Sequence, residues 1–279
     1  MTDLPLPPFQ LPLLAEDERL DTVNEKIRLI QKKQGLTFGT DAFLLAAFVK
    51  SAPKTHAVDL GSGTGILPLL LLAKGKIKSA TAVEVQPAFA DLIARNAKLN
   101  SLADRITPLC ANVRDLHPED TRGEVGLVIS NPPYMKCTSG KRNESDEKYI
   151  ARHEVCGDIS DFCACAARIL KHGGKFVCVW RPDRLTDLLG AMRDHQLEPK
   201  RMTFVHADRE SEPCSVLIEA TKGAAPSVRV SRPLILYEPY TRGEKVRRLT
   251  QEAQTIYDTC SFGDEKPPRL KKQYILNLK

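Results

Sequence analysis

Long apolar runs are scarce in this chain. The longest, Gly65 to Ala73, is far short of the roughly 20 residues that a membrane helix needs, so no bilayer-spanning segment is expected. Met1 to Leu20 is proline-rich and its first charges are acidic. It lacks the basic start and small-residue cleavage site of a secretory signal, which points to the cytoplasm. Metal-ligand spacings are missing as well. The eight cysteines (Cys110, Cys137, Cys156, Cys163, Cys165, Cys178, Cys214 and Cys260) include no C-x-x-C pair, and no histidine stands at zinc spacing. Reduced thiols, mostly buried as small apolar residues, are the expectation, with no metal. Internal repeats, low-complexity tracts and a collagen-like period are absent. With 279 residues, 42% of them apolar and 27% charged, the chain is too apolar for disorder and long enough to bury a full core.

The net charge is +6, and it is unevenly placed. Residues 222–279 hold 12 basic and 6 acidic side chains, which leaves 29 against 29 in the rest. The excess is either a solvated basic tail or an electrostatic footprint for an anionic partner such as RNA.

Asp17 to Gln34 is a charged lead-in with an apolar stretch at Ile27, Leu29 and Ile30. Ala42 to Val49 has helical length, with Thr40 or Asp41 as its natural N-cap. From His56 the chain alternates. Strands are predicted at Ala57 to Leu60, Ala80 to Val85, Ile106 to Cys110, Val125 to Ser130, Lys175 to Trp180, Met202 to His206 and Ser215 to Ala220. Helices fall between them: one from the glycine turn to Ala73, one over Pro87 to Leu99 with proline in its first turn, one over Ile159 to Leu170 closed by Gly173-Gly174, and one near Leu185 to His195. This pattern predicts an α/β fold, a doubly wound, mostly parallel seven-stranded Rossmann-like sheet with helices on both faces. The divisions are an N-terminal extension over 1–39, a central domain over 40–222 and a basic C-terminal extension over 223–279. Met135 to Arg152 is polar without apolar period and reads as a surface loop.

Asp59-Leu60-Gly61-Ser62-Gly63-Thr64-Gly65 follows the first of these strands. Glycines there let the backbone turn tightly and approach a ligand, and the next helix offers free N–H groups. Glu84 closes the following strand, where a carboxylate can accept from both ribose hydroxyls of a nucleoside cofactor; a solvent-facing strand end is the alternative. The spacing is G-x-G-x-G and not the G-x-G-x-x-G of dinucleotide sites, and Asp59 leads into it. A carboxylate repels a pyrophosphate and suits a cation, so S-adenosylmethionine fits better than a nicotinamide dinucleotide.

Asn131-Pro132-Pro133-Tyr134 directly follows the fourth strand. Two prolines stiffen the chain and can hold the Asn131 side chain and the Pro132 carbonyl in fixed relation. Two adjacent acceptors suit a planar NH2 group, and Tyr134 offers a flat face for stacking. With both hydrogens held out of plane, the nitrogen lone pair localises for in-line attack on a methyl sulfonium. Catalysis then comes from positioning and from acceptors aimed at developing positive charge.

Together these motifs resemble class I amino-methyltransferases. Phe38 to Leu45, Ile150 to Glu154, Arg181 to Leu185 and Glu198 to Met202 are similar to the valine-tRNA adenine-37 N6-methyltransferase family, nearest its Gram-positive-type branch, over about residues 17 to 240. The resemblance implies that Asn131, Pro132, Pro133 and Tyr134 are catalytic. It implies that Asp59, Gly61, Ser62, Gly63, Gly65, Glu84 and Asn131 line S-adenosyl-L-methionine, with Thr40 and Asp41 beside its methionine part. The family usually has Asp after the third of these strands to bind the adenine amino group. Here Asn112 stands there, able to accept the same bond without the charge. Arg152 and His153 are either phosphate contacts or an ordinary helix start. The implied partner is the tRNA anticodon loop, met by the 135–152 loop and the basic C-terminal stretch. N5-methylation of a release-factor glutamine or N-methylation of another RNA are alternatives within the same chemistry. Outside it stand an oxidoreductase, disfavoured by the glycine spacing, and a silent RNA-binding module.

Overall fold

The computed structural model describes residues 14–34, 39–132, 157–239 and 247–263. The charged lead-in proves to be an antiparallel hairpin, β1 (Glu18–Thr22) with β2 (Arg28–Lys32). Asn24 turns it, its Oδ1 accepting the N–H groups of Lys26 and Ile27 at 2.9 and 3.0 Å. Helix α1 (Thr40–Phe48) follows, then the alternation β3 (His56–Leu60), α2 (Ile66–Ala73), β4 (Ser79–Glu84), α3 (Pro87–Leu99), β5 (Ile106–Cys110) and β6 (Val125–Ser130). After the next described residues come α4 (Ile159–Ile169), β7 (Leu170–Trp180), α5 (Leu185–Asp194), β8 (Leu197–His206) and β9 (Pro213–Lys222). Two short strands, β10 (Arg229–Val230) and β11 (Leu234–Ile235), and α6 (Gln251–Thr259) complete the described chain.

The large sheet has the order β10-β8-β9-β7-β6-β3-β4-β5, with β11 also on β8. All seven expected strands are present, and β9 alone runs against its neighbours. Gly173 and Gly174 do not close a helix as expected. They lie within β7, where the pairing with β6 shifts register between Val125 and Leu127. Because side chains alternate along a strand, consecutive residues serve opposite cores. Ala57, Leu127 and Val177 pack with α1, α2 and α6, whereas Val58, Val128 and Cys178 pack with α4 and α5. Both sheet faces are therefore covered, as parallel sheets require.

β10 and β11 pair with β8, and α6 buries Ala253 and Ile256 in the α1 core, so these three elements share the main sheet and core. Among the described residues no helix is long and apolar enough to cross a membrane. Of the six described cysteines, four are buried and Cys110 and Cys214 are exposed. Burial pushes the Cys163 and Cys165 thiols up to about 12, which keeps them protonated and inert.

Candidate active site

The strand order reverses at β3, whose neighbours are β4 on one side and β6 on the other. Chains leaving β3 and β6 at their carboxyl ends open a crevice, the usual ligand position in such sheets. Leu60 pairs with Ser130 across this boundary, and Ser130 Oγ donates to the Leu60 carbonyl at 2.7 Å. The next residues, Gly61 and Asn131, thus leave the sheet side by side. Asn131 is half-buried and Pro132 is buried. Pro133, Tyr134, the 135–152 loop, Arg152 and His153 lie outside the described residues.

Gly61, Gly63 and Gly65 take φ of 70°, 56° and 82°, the left-handed region that side chains strain to enter. At Gly63 a Cβ would meet nothing within 4 Å. The conformation demands glycine there, and the space above the backbone is open for a ligand. Gly63 N donates to Glu84 Oε2 at 2.9 Å and Gln86 N to Glu84 Oε1 at 3.0 Å. These two bonds aim the carboxylate and leave about half of its four acceptor positions for ribose hydroxyls.

Asp59 is fully buried, with Oδ2 accepting from Ser62 Oγ at 2.5 Å and Oδ1 unpartnered. Burial pushes its carboxyl up to about 7; the Ser62 bond opposes this and the Glu84 charge adds to it. An orphaned carboxylate oxygen inside a protein is costly unless something completes it. A cationic nucleoside would do so, and the residues present fit S-adenosylmethionine.

Thr40 and Asp41 do not cap α1 as expected. The N-cap is Gly39, with no side-chain cap bond, and Thr40 and Asp41 form the first turn. Asp41 Oδ1 instead accepts from Ser215 Oγ of β9 at 3.2 Å. Asn112 follows β5, and its Oδ1 accepts Arg114 N at 3.0 Å to close a local turn. Asn112 also sits near Glu84, since Ala111 N donates to the Glu84 carbonyl at 3.2 Å.

The profile of the methyltransferase small domain matches residues 32–194. The chain belongs to this family. The methyltransferase is 28% identical over 187 residues to a tRNA1(Val) (adenine(37)-N6)-methyltransferase of Porphyromonas gingivalis, covering 65% of this chain and 72% of that one. A protein of the same name from Klebsiella pneumoniae is 32% identical over 149 residues, 52% of this chain and 58% of that one. Among solved structures, a predicted O-methyltransferase from Agrobacterium tumefaciens superposes with a TM-score of 0.63 at 22% identity, over 80% of this chain and 97% of that one. This last likeness concerns the fold.

One residue of the methyltransferase site escaped the sequence reading. Asn96, fully buried on α3, donates through Nδ2 to the carbonyls of Thr64 at 3.0 Å and Ile30 at 3.1 Å. Its Oδ1 accepts Ile30 N at 2.7 Å. One turn on, Asn100 repeats the pairing with both backbone groups of Arg28. Asn96 therefore fastens the hairpin to the glycine turn. The available signal was Asn96 inside a helix, where asparagine is a weak helix former and needs a reason.

Proposed function

We propose that the enzyme transfers a methyl group from S-adenosylmethionine to N6 of an adenine in tRNA, at the anticodon-loop position 37 of a valine tRNA. The observation that carries this is the juxtaposition of Asn131 with the glycine turn, beside a buried carboxylate lacking one partner. The names of the similar proteins support the substrate.

When bound, the cofactor supplies a methyl group on a sulfonium, open to in-line displacement. Glu84 would hold the ribose through its unused acceptor positions, and the Asp59 carboxylate would supply negative charge for the cation. Asn131 Oδ1 and the Pro132 carbonyl would accept hydrogen bonds from the two N6 hydrogens, localising the lone pair and stabilising the charge that grows on nitrogen; the N–C bond forms as the methyl–sulfur bond breaks, and the nitrogen then sheds one of its two protons to water. Tyr134 stacks on the base, which leaves a loop at lower cost than a duplex. The catalytic unit comprises 40–222; the 135–152 loop and the basic 223–279 extension bear the RNA backbone. Action on tRNA places the enzyme in the cytoplasm.

The test is incubation with labelled S-adenosylmethionine and unmodified tRNA, followed by digestion to nucleosides. Labelled N6-methyladenosine is expected, whereas label confined to a release factor or another RNA would overturn the substrate. Asn131→Ala is expected to abolish transfer and leave cofactor affinity largely intact.

A further inference from the structure

Nearly all of the β1–β2 hairpin precedes the family profile, which begins at residue 32, yet α3 ties it to the glycine turn. β1 pairs with one edge of β2. On the other edge, alternate residues turn their backbone groups toward α3. Arg28 N donates to Asn100 Oδ1 at 3.0 Å and the Arg28 carbonyl accepts from Asn100 Nδ2 at 2.7 Å. Ile30 makes the same pair of bonds with Asn96, at 2.7 and 3.1 Å. The two spacings match, since two strand residues advance about 6.7 Å and four helix residues about 6 Å. Glu18 of β1 docks the hairpin separately: Arg95 donates to both its oxygens at 2.8 Å, which holds the carboxyl down at about 2.

The two asparagines differ in one bond. The remaining amide hydrogen of Asn100 goes to the Asn96 carbonyl at 2.8 Å, within α3, whereas that of Asn96 goes to the Thr64 carbonyl at 3.0 Å. That carbonyl needs an outside donor. Thr64 is buried and precedes Gly65, the N-cap of α2, whose own carbonyl accepts the first helical bond from Leu69 N at 3.2 Å. Helix α2 cannot begin one residue earlier to claim Thr64, because the N–H required would belong to Pro68. Thr64 also stands between Gly63 and Gly65, both left-handed, and glycine passes freely between that region and its mirror image. The peptides around Thr64 therefore have little orientation of their own. Glu84 fixes Gly63 N, and the Ser62 carbonyl fixes Gly65 N at 2.9 Å. Asn96 supplies the hold on the other side of the Thr64–Gly65 peptide. Helix α3 lies directly against the turn, since a Cβ on Gly65 would touch Ile93 at 3.4 Å.

We propose that Asn96 is a positioning residue for the methyl-donor site: oriented by Ile30 of the hairpin, it fixes the Thr64–Gly65 peptide and so preorganises the glycine turn for S-adenosylmethionine. Hairpin and cofactor are then coupled through one side chain, although no hairpin residue need touch the cofactor. This rests on the proposed reading that the glycine turn lines S-adenosylmethionine.

Asn100→Ala is the matched control. It removes three hydrogen bonds from the same helix, as Asn96→Ala does, but none from the turn. The measurements are S-adenosylhomocysteine affinity by calorimetry and melting temperature for the wild type and both variants. The side-chain amide resonances of the two asparagines are followed by NMR as the wild type is titrated. Both variants should melt lower than the wild type. Asn96→Ala should bind S-adenosylhomocysteine roughly three- to tenfold more weakly, the size of one hydrogen bond, and Asn100→Ala should bind as the wild type does. In the wild type the Asn96 amide resonances should shift on saturation while those of Asn100 stay in place, a result independent of whether either variant folds. Wild-type affinity in Asn96→Ala, equal losses in the two variants, or Asn96 resonances indifferent to saturation would overturn the inference alone. Failure of the wild-type protein to bind S-adenosylhomocysteine would overturn the cofactor reading with it.

Discussion

Asp59 and Glu219 are both carboxylates inside the sheet, one at the crevice end of β3 and one in the middle of β9, and both are buried. Their surroundings differ. Glu219 is met at both oxygens, by Lys175 Nζ at 2.9 Å and Arg201 Nη2 at 3.0 Å. Arg201 in turn lies over the Phe48 ring, 3.6 Å from its centroid. Burial pushes the Glu219 carboxyl up, but the Lys175 bond and the Arg201 charge outweigh it and hold the group below its ordinary value. Asp59 has only a serine hydroxyl and a second carboxylate for company, and goes up to about 7. A buried charge that serves the fold brings its own counterion. One that serves a ligand is left short of a partner, and stability is given up for binding.

The sharpest break of this comparison is Glu219→Gln. Removing one member of a buried pair leaves Arg201 uncompensated, so a loss of about 3–5 kcal/mol in chemical denaturation is expected. Cofactor affinity of the folded fraction should not change. Asp59→Asn should do the reverse. Relieved of a buried carboxylate, the protein should melt no lower than the wild type. It should lose S-adenosylmethionine affinity about ten- to hundredfold, the worth of a charged hydrogen bond; equal affinity would mean that Asp59 is only structural.

Proton linkage separates the two groups more finely. The folded pKa of Asp59 lies above its unfolded value, so its contribution to stability is fully present below about pH 4 and is lost as pH rises toward 7. Glu219 has the opposite sign. Its contribution is present above its ordinary value of 4.5 and is lost as pH falls through the depressed one. Affinity for the cationic cofactor should climb between pH 6 and 8 as Asp59 ionises, and that climb should vanish in Asp59→Asn. The smallest effect is expected from Ser62→Ala. Losing its hydrogen bond removes what lowers the Asp59 pKa, at roughly 1 kcal/mol, so the midpoint of that climb should move to higher pH without loss of plateau affinity.

Much of the crevice was legible in the chain. Asp59, the three glycines and Glu84 are close in sequence, and they sit at or just past the ends of strands whose apolar character is plain. The seven central strands were legible for the same reason. The hairpin was not, because β1 and β2 are charged five-residue strands secured by Asn96 and Asn100 from 66 to 72 positions away. Strands β10 and β11 have two residues each and form only against β8. Thr40 and Asp41 were read as caps, since local rules favour a side-chain oxygen there. Gly39 takes the cap position, and the distant Ser215 hydroxyl claims Asp41 instead.

By itself, then, the sequence determined the seven central strands, the glycine turn and the acidic strand end, because periodicity and left-handed glycine act within a few residues. Tertiary structure alone decided which buried carboxylate keeps a counterion. It also decided that β10 and β11 join β8 and that α6 packs on α1. Burial and hydrogen-bond partnership depend on groups far apart in the chain, and only the closed sheet brings Lys175, Arg201 and Glu219 together while leaving Asp59 Oδ1 without a partner.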